Sequence, residues 1–509
     1  MSVASARSAI AEAGASAASA EAQPALDSTI AQSIGGIRPW SAALPPIYDH
    51  RMLAAPSPER APEPAEPREL EAEILDLGRG LARERPSLRR LPRVAQDRGM
   101  ALAARDPQLR AALFRLVDVA PACAGPGELA EHLDALLDGV EHRSAPVAAA
   151  ARAAHAAPTR ATTGELVAAA VGRMARRFIV GETPVHAAPV LRRLWQRGSA
   201  ASVDLLGEAT VTRAQARAYA ARCEAALTEL AAASAGWPAR PLLEADAAGP
   251  LPRVNLSVKV TALTPLVRPE APERGRADAA DLLRRLLRRA RELGAHLHVD
   301  MESVDSRELI LELVLELLSE REFRDGPSAG VVLQAYLRDA EETLERVLGW
   351  ARASDREPPL TIRLVKGAYW DHETIEAVQH GWPPPVFTEK AESDRCFERV
   401  TRRLIAAFPL VRPAIASHNL RSIAHAIVCA RRAGLGPADL ELQVLRGLGD
   451  ELQEALAGAG LRARTYCPVG DMVAGMAYLV RRLLENTSNE SFLVSRAGGA
   501  DLDRLLAAP

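Results

Sequence analysis

From about residue 200 onward, short apolar runs alternate with amphipathic stretches, and this alternation limits the folds open to the chain. The runs lie at 202–208, 254–260, 296–301, 330–336, 360–366, 413–417, 440–445 and 463–468. Their length and apolar content suit strands buried on both faces. Helical patterns follow at 212–231, 278–293, 305–320, 340–353, 390–407, 419–433, 449–458 and 471–486. In 305–320, Ile310, Leu313, Val314, Leu317 and Leu318 share one helix face. Strands that each precede a helix, eight times over, predict an α/β fold, a (β/α)8 TIM-like barrel. A doubly wound sheet would also alternate, but no G-x-G-x-x-G follows a strand.

Upstream the pattern changes. Residues 1–67 are rich in Ala, Ser and Pro and end in Pro56, Pro58, Pro62, Pro64 and Pro67. Such a segment buries too little apolar surface to offset chain entropy and is expected to be a disordered tail. Residues 68–200 show Leu and Ala at helical spacing, as in 70–85, 107–117, 130–137 and 167–178. They predict an N-terminal helical arm or scaffold ahead of a barrel at 201–495, with 496–509 as a C-terminal tail.

The chain has 509 residues and a formal net charge of −2, which gives no reason to expect nucleic acid as a partner. Cys123, Cys223, Cys396, Cys429 and Cys467 form no C-x-x-C pair and fit free thiols in a reducing cytoplasm. The most apolar helical run, 309–318, is interrupted by Glu312 and Glu316, so no membrane span is expected. The N-terminus lacks a continuous apolar signal region. Cytoplasmic localisation is expected, and peripheral membrane contact is compatible with it.

In a barrel of this kind the chemistry lies at the C-terminal ends of the strands. Those ends carry Glu208, Lys259, Asp300 with Glu302, Gln334 with Tyr336, Arg363 with Lys366, Ser417-His418-Asn419, Gln443 and Tyr466. Polar groups at every strand end point to a ligand-filled mouth. Residues 360–370 are the most informative stretch. Arg363 and Lys366 interrupt an apolar strand, which ends on Gly367 beside Tyr369 and Trp370. Two cations there suit a flat anionic ligand, with structural ion pairs as the other reading. On the last helix, Tyr478, Arg481, Arg482 and Glu485 share a face. Adjacent arginines splay by about 100° on a helix, enough to grip one carboxylate from two directions.

Two other chemistries compete. His296-x-His298 with Lys366, His418 and Asp471 superficially matches the ligands of metal-dependent barrel hydrolases. Yet the His pair sits below Asp300 and on the third strand, so no metal is predicted. Lys259 or Lys366 could instead form a Schiff base, but no carbonyl-directed base accompanies them.

The strand-end motifs resemble those of the proline dehydrogenase domain of the bacterial proline utilization A flavoenzymes. The matching residues are Arg176-Arg-Phe-Ile-Val-Gly-Glu182, Asp204-Leu-Leu-Gly-Glu-Ala-Thr210, Leu256-Ser-Val-Lys-Val-Thr-Ala-Leu263 and Asp300-Met-Glu-Ser-Val-Asp305. They continue through Val332-Leu-Gln-Ala-Tyr336, Arg363-Leu-Val-Lys-Gly-Ala-Tyr-Trp-Asp371, Ser417-His-Asn419, Tyr466-Cys-Pro-Val-Gly470 and Tyr478-Leu-Val-Arg-Arg-Leu-Leu-Glu-Asn486. The resemblance implies a distorted barrel that binds FAD, oxidises L-proline to Δ1-pyrroline-5-carboxylate and passes electrons to a quinone. Arg363 would lie near the flavin N5 and Gln334 at the ring's polar edge. Lys366, Gly367, Ala368 and Trp370 would follow the pyrophosphate and adenosine, with His418 and Asn419 also on FAD. Arg481, Arg482 and Lys259 would hold the proline carboxylate, and Tyr466 and Tyr478 would wall the pyrrolidine ring. Asp300 would support the charge network, and Glu485 would orient Arg481 and count among the cofactor-binding residues.

The physical logic is consistent with this. Proline is small, so its carboxylate is the main handle for placing C5 against the flavin. Three segments depart from the family pattern: Ser417-His418-Asn419, Leu445-Arg446-Gly447 and Glu392-Ser393-Asp394. The second oxidation is expected from a separate pyrroline-5-carboxylate dehydrogenase chain, or from the remainder of a longer protein. The N-terminus lacks a basic ribbon-helix-helix pattern, so no DNA binding is expected. From other classes, a non-catalytic FAD-binding partner of a dehydrogenase and a metal-dependent barrel hydrolase remain as alternatives.

Overall fold

The computed structural model describes residues 68–83, 107–140, 145–207, 210–471, 475 and 501–509. Within them, parallel strands close into a barrel: β1 (Ser199–Leu205), β2 (Asn255–Lys259), β3 (His296–Asp300), β4 (Ser328–Gln334), β5 (Leu360–Val365), β6 (Val411–Ala416), β7 (Glu441–Leu445) and β8 (Ala463–Val469). β1 closes the ring, pairing with β8 from Ser199↔Ala463 to Leu205↔Val469 and with β2 at Val203↔Leu256 and Asp204↔Ser257. The predicted (β/α)8 class is the observed one.

The first strand starts earlier than its apolar run suggests. The Ser199 hydroxyl lies 3.0 Å from that of Thr465, which lets a polar residue enter the ladder beside β8. The fourth strand is shifted the same way, because the chain turns at its end, where the Leu337 amide donates back to the Gln334 carbonyl.

The helices fall into two groups. Ahead of the barrel lie α1 (Arg68–Arg83), α2 (Pro107–Val119), α3 (Pro126–Asp138), α4 (Ala145–His155), α5 (Ala157–Phe178) and α6 (Pro184–Gln196). Helices α2 to α4 share an apolar cluster of their own around Leu116, Leu129, Leu133, Leu137 and Ala154. α6 leads into β1 through Trp195, which is buried against Leu243 and donates its indole N–H to the Pro238 carbonyl at 2.7 Å.

Around the barrel run α7 (Arg213–Ala235), α8 (Pro272–Glu292), α9 (Val304–Leu318), α10 (Ala340–Ala353), α11 (Trp370–His380), α12 (Lys390–Ala406), α13 (Leu420–Arg432) and α14 (Asp450–Gly458). On α9, Ile310, Leu313, Val314, Leu317 and Leu318 are all buried, as their spacing predicts. Each such side chain contributes about 1.5–3 kcal/mol by leaving water. Two helices follow β5, and α11 was not foreseen: it is short, and Ile375 and Val378 on it are exposed, so no apolar stripe marks it. The last predicted helix, 471–486, lies outside the described residues except at 471 and 475, and the predicted tail at 1–67 lies wholly outside them.

Helix α1 and the described C-terminal segment meet over one side of the barrel. Leu70 and Ile74 of α1 pack on Ala424 and Val428 of α13. Arg432 reaches Glu73 at 2.9 Å, and Arg79 reaches Asp503 of α15 (Leu502–Leu506) at 2.8 Å.

Buried charges stand away from the mouth. A small hairpin pairs Ala245 with Pro250 and Asp246 with Gly249. Asp246 has a fully buried side chain and accepts from Arg412 at 2.9 Å and Arg462 at 3.0 Å. Beside it, Glu441 accepts from Arg464 at 2.9 Å and from the Gln443 amide at 2.6 Å. Burial alone would raise the Glu441 carboxyl, but Arg464 and Arg462 outweigh it and hold it far below the usual carboxylate range.

Candidate active site

At the C-terminal ends of the strands, Lys259, Asp300, Arg363 and Tyr466 come together from β2, β3, β5 and β8. Asp300 is the shared acceptor. Arg363 donates to its Oδ1 at 2.7 Å and the Tyr466 hydroxyl donates to its Oδ2 at 2.7 Å. The Lys259 ammonium stands 3.7 Å from that second oxygen. The Arg363 guanidinium also lies over the Tyr466 ring, 5.2 Å from its centroid, and donates to Ser202 and Ser257, each at 3.2 Å. An arginine this deeply buried is tolerable because a carboxylate and two hydroxyls meet it.

Lys259 has a second acid, one that is not among the polar strand ends. Both oxygens of Asp204 on β1 take its ammonium, at 2.8 and 2.9 Å. Burial would lower Lys259, but Asp204 and Asp300 outweigh it and hold the group well above the ordinary lysine value. Asp204 is an acid inside an apolar run, and that was the signal available in the sequence. Glu208, taken as the polar end of the first strand, lies outside the described residues.

Glu302 follows Asp300 at the β3 end. Its carboxylate accepts from the Thr261 hydroxyl and its backbone carbonyl accepts from the Gln334 amide at 2.9 Å. Burial pushes the Glu302 carboxyl up. Burial likewise puts the Tyr466 phenol well above its usual range, with Asp204 and Asp300 adding to the shift.

Lys366, Gly367, Ala368 and Trp370 form a second group beyond β5. The Lys366 ammonium bonds Asp394 on α12, which also takes Lys390 at 2.5 Å. Burial pulls Lys366 below the ordinary lysine value despite its acid. Gly367 has φ +140, and a Cβ there would stand 2.3 Å from the Tyr336 ring, so only glycine fits. Gly367 and Ala368 are exposed, and the chain then enters α11 at Trp370, whose indole donates to the Phe387 carbonyl at 2.9 Å. On the next loop, His418 Nε2 accepts from the Leu445 amide at 2.9 Å, and Asn419 caps α13 through the Ser422 amide. Tyr478, Arg481, Arg482 and Glu485 lie outside the described residues.

The His296–His298 pair sits one layer below. The rings bond each other at 3.1 Å, and His296 bonds the Ser328 hydroxyl at 2.8 Å. Burial, together with Arg464 and Arg363 nearby, pushes both well below the usual histidine range, so they are neutral packing groups.

A barrel whose mouth gathers these groups matches one family. The family model described as proline dehydrogenase matches residues 187–495. The chain belongs to the proline dehydrogenase family. The model of the proline utilization A N-terminal domain matches residues 71–178, in the helical region ahead of the barrel. The bifunctional protein PutA of Salmonella typhimurium is 35% identical over 345 residues, covering 66% of this chain and 25% of that one. Proline dehydrogenase 1 of Bacillus subtilis is 26% identical over 320 residues, 63% of this chain and 89% of that one. Proline utilization A from Bdellovibrio bacteriovorus, in a structure inactivated by N-propargylglycine, superposes with a TM-score of 0.78 at 34% identity. That match covers 87% of this chain and 44% of the other. The chain thus spans about a quarter of the length of the curated PutA it matches. Every residue of both groups falls within the matched proline dehydrogenase span.

Proposed function

We propose that this chain oxidises L-proline to Δ1-pyrroline-5-carboxylate with FAD and passes the electrons to a quinone, as a first step of proline catabolism. The observation that carries the reading is the cluster of Lys259, Asp204, Asp300, Arg363 and Tyr466 at the mouth of a proline dehydrogenase family barrel.

The residues beyond β5 fit a flavin dinucleotide. Arg363 Nε is buried without a hydrogen-bond partner in the protein. Past it, Gly367 and Ala368 expose their backbone at the entrance to α11, where unsatisfied amides and the helix dipole favour phosphate. Arg363 and Gln334 would serve the isoalloxazine side. Lys366, Gly367, Ala368 and Trp370 would serve the pyrophosphate and adenosine side, with His418 and Asn419 beside them. When bound, FAD supplies an N5 acceptor for the hydride from proline C5.

The protein's own groups bind and orient. Arg481, Arg482 and Lys259 hold the proline carboxylate, and a protonated Lys259 supports that role. Tyr466 and Tyr478 wall the ring, and Glu485 orients Arg481. Asp300 fixes Arg363 and Tyr466 relative to one another through its two oxygens.

In this reading 201–495 carries the chemistry, 68–200 is its scaffold, and a pyrroline-5-carboxylate dehydrogenase elsewhere performs the second oxidation. Among the described residues no helix is long and apolar enough to cross a membrane. The expected setting is the cytoplasm, with peripheral membrane contact where the quinone lies. The purified protein should be yellow and bleach anaerobically on addition of L-proline. A colourless protein that takes up no flavin would overturn the reading.

A further inference from the structure

Of the chain's 63 basic residues only three are lysines, Lys259, Lys366 and Lys390. All three are held by aspartates around the site: Lys259 by Asp204, and Lys366 and Lys390 by Asp394. In a chain that elsewhere uses arginine, an ammonium survives where a compact point charge with three tetrahedral donors is needed. Lys259 shows why. Two buried oxygens of Asp204 take it from one side, and the Asp204 side chain is 2% exposed. The Lys259 side chain as a whole is 17% exposed, and Asp300 stands at 3.7 Å from its ammonium. A guanidinium keeps donors after one carboxylate meets its fork, but all of them lie in one fixed plane, whereas an ammonium aims its donors tetrahedrally.

We infer that Asp204 is a positioning residue: from the β1 side it anchors Lys259 so that the remaining ammonium donors face the barrel mouth, where a ligand carboxylate would be met. The carboxylate half of this rests on the proposed proline chemistry. Arg363 cannot take the role, because Asp300, Ser202 and Ser257 already engage it in the interior. Asp204 and Asp300 together balance Lys259 and Arg363, so the cluster is stable before any substrate arrives.

The groups that face Lys259 come from several elements. They are Asp204 on β1, Asp300 and Glu302 at the β3 end, and Tyr219 and Cys223 on α7. Burial pushes Cys223 up to about 12 and Tyr219 well above its usual value, so neither ionises across the working range. Asp204 is then the group whose removal most lowers the proton affinity of Lys259.

With three lysines, protein labelled with 13C at lysine Cε gives three signals, and Lys259→Met assigns one of them. In the unmodified protein the Lys259 signal should titrate above the free lysine value of about 10.4. Asp204→Asn should move it down by about one to three pH units. In the flavin-loaded enzyme, Asp204→Asn should raise KM for L-proline roughly 30-fold, as loss of one partner in a buried charge pair does. Oxidation of pyrrolidine, which lacks the carboxylate, should fall by much less than oxidation of proline. Lys259→Met and the double variant should share one KM.

An unchanged Lys259 titration in Asp204→Asn would overturn the inference, as would equal losses for proline and pyrrolidine. If Asp204→Asn does not fold, a Lys259 signal titrating at or below the free value in the unmodified protein overturns it alone. An unmodified protein that oxidises no proline overturns the proposed reaction instead, and the lysine titration still decides the role of Asp204.

Discussion

Tyr466 reaches across the barrel mouth to Asp300, its hydroxyl donating to Oδ2 at 2.7 Å while Arg363 holds Oδ1 at the same distance. The two ends of one carboxylate therefore set a tyrosine ring and a guanidinium in register, with the guanidinium lying over that ring. Tyr466→Phe keeps the ring and removes the bond. Hydrogen bonds to charged groups contribute about 1.5–3 kcal/mol, so kcat/KM for proline should fall roughly tenfold or more. Flavin content should not change, and steady-state kinetics with an artificial acceptor would show both.

Arg481→Ala and Arg482→Ala test the carboxylate clamp of the proposed function. Each should raise KM for L-proline through a loss of about 2–4 kcal/mol. Unchanged KM in both variants would remove the clamp from the mechanism.

Gly367→Ala places a Cβ 2.3 Å from the Tyr336 ring at φ +140. The strain should cost about 1–3 kcal/mol of stability. Because Gly367 opens the loop proposed to follow the pyrophosphate, purified Gly367→Ala should also retain less flavin per chain. Absorbance ratios and urea unfolding measure the two effects.

Asp246→Ala leaves Arg412 and Arg462 buried without their shared acid. Removing one partner of a buried ion pair destabilises by about 3–5 kcal/mol. Equilibrium unfolding in urea should show this. The site lies at the other end of the barrel, so kcat of the folded fraction should change little.

Glu441 makes stability fall in acid. Its native carboxyl lies far below the usual range, despite burial, because Arg464 and Arg462 favour the charged form. A depressed native pKa stabilises fully above the unfolded value of about 4.3, and that stability is lost as pH falls below it. The urea midpoint should therefore drop between neutral pH and pH ~3. Glu441→Gln should start lower and show a shallower drop.

The barrel was legible because its signal is local. Short apolar runs and amphipathic stretches each report their own period, and strand ends carry polar residues wherever the chain leaves the core. Lys259, Asp300, Arg363 and Tyr466 could all be named from the position of each in its own run. Helix α11 could not, since Ile375 and Val378 face outward and Trp370 stands at its exposed start. The start of β1 was equally hidden, because Ser199 enters the ladder only by bonding a hydroxyl on β8.

By itself the sequence determined the barrel class, the mouth as the place for chemistry, and the residue types found there. Only the tertiary structure decided which charge answers which. Lys259 and Asp204 are 55 positions apart, Arg363 and Asp300 63, and Tyr466 and Asp300 166. Such pairs depend on barrel closure, which sets β1 beside β2 and brings β8 across from β3. A buried cation requires an acid, and the sequence states that requirement. Which acid meets it follows from strand order and register, and neither is written in any local pattern.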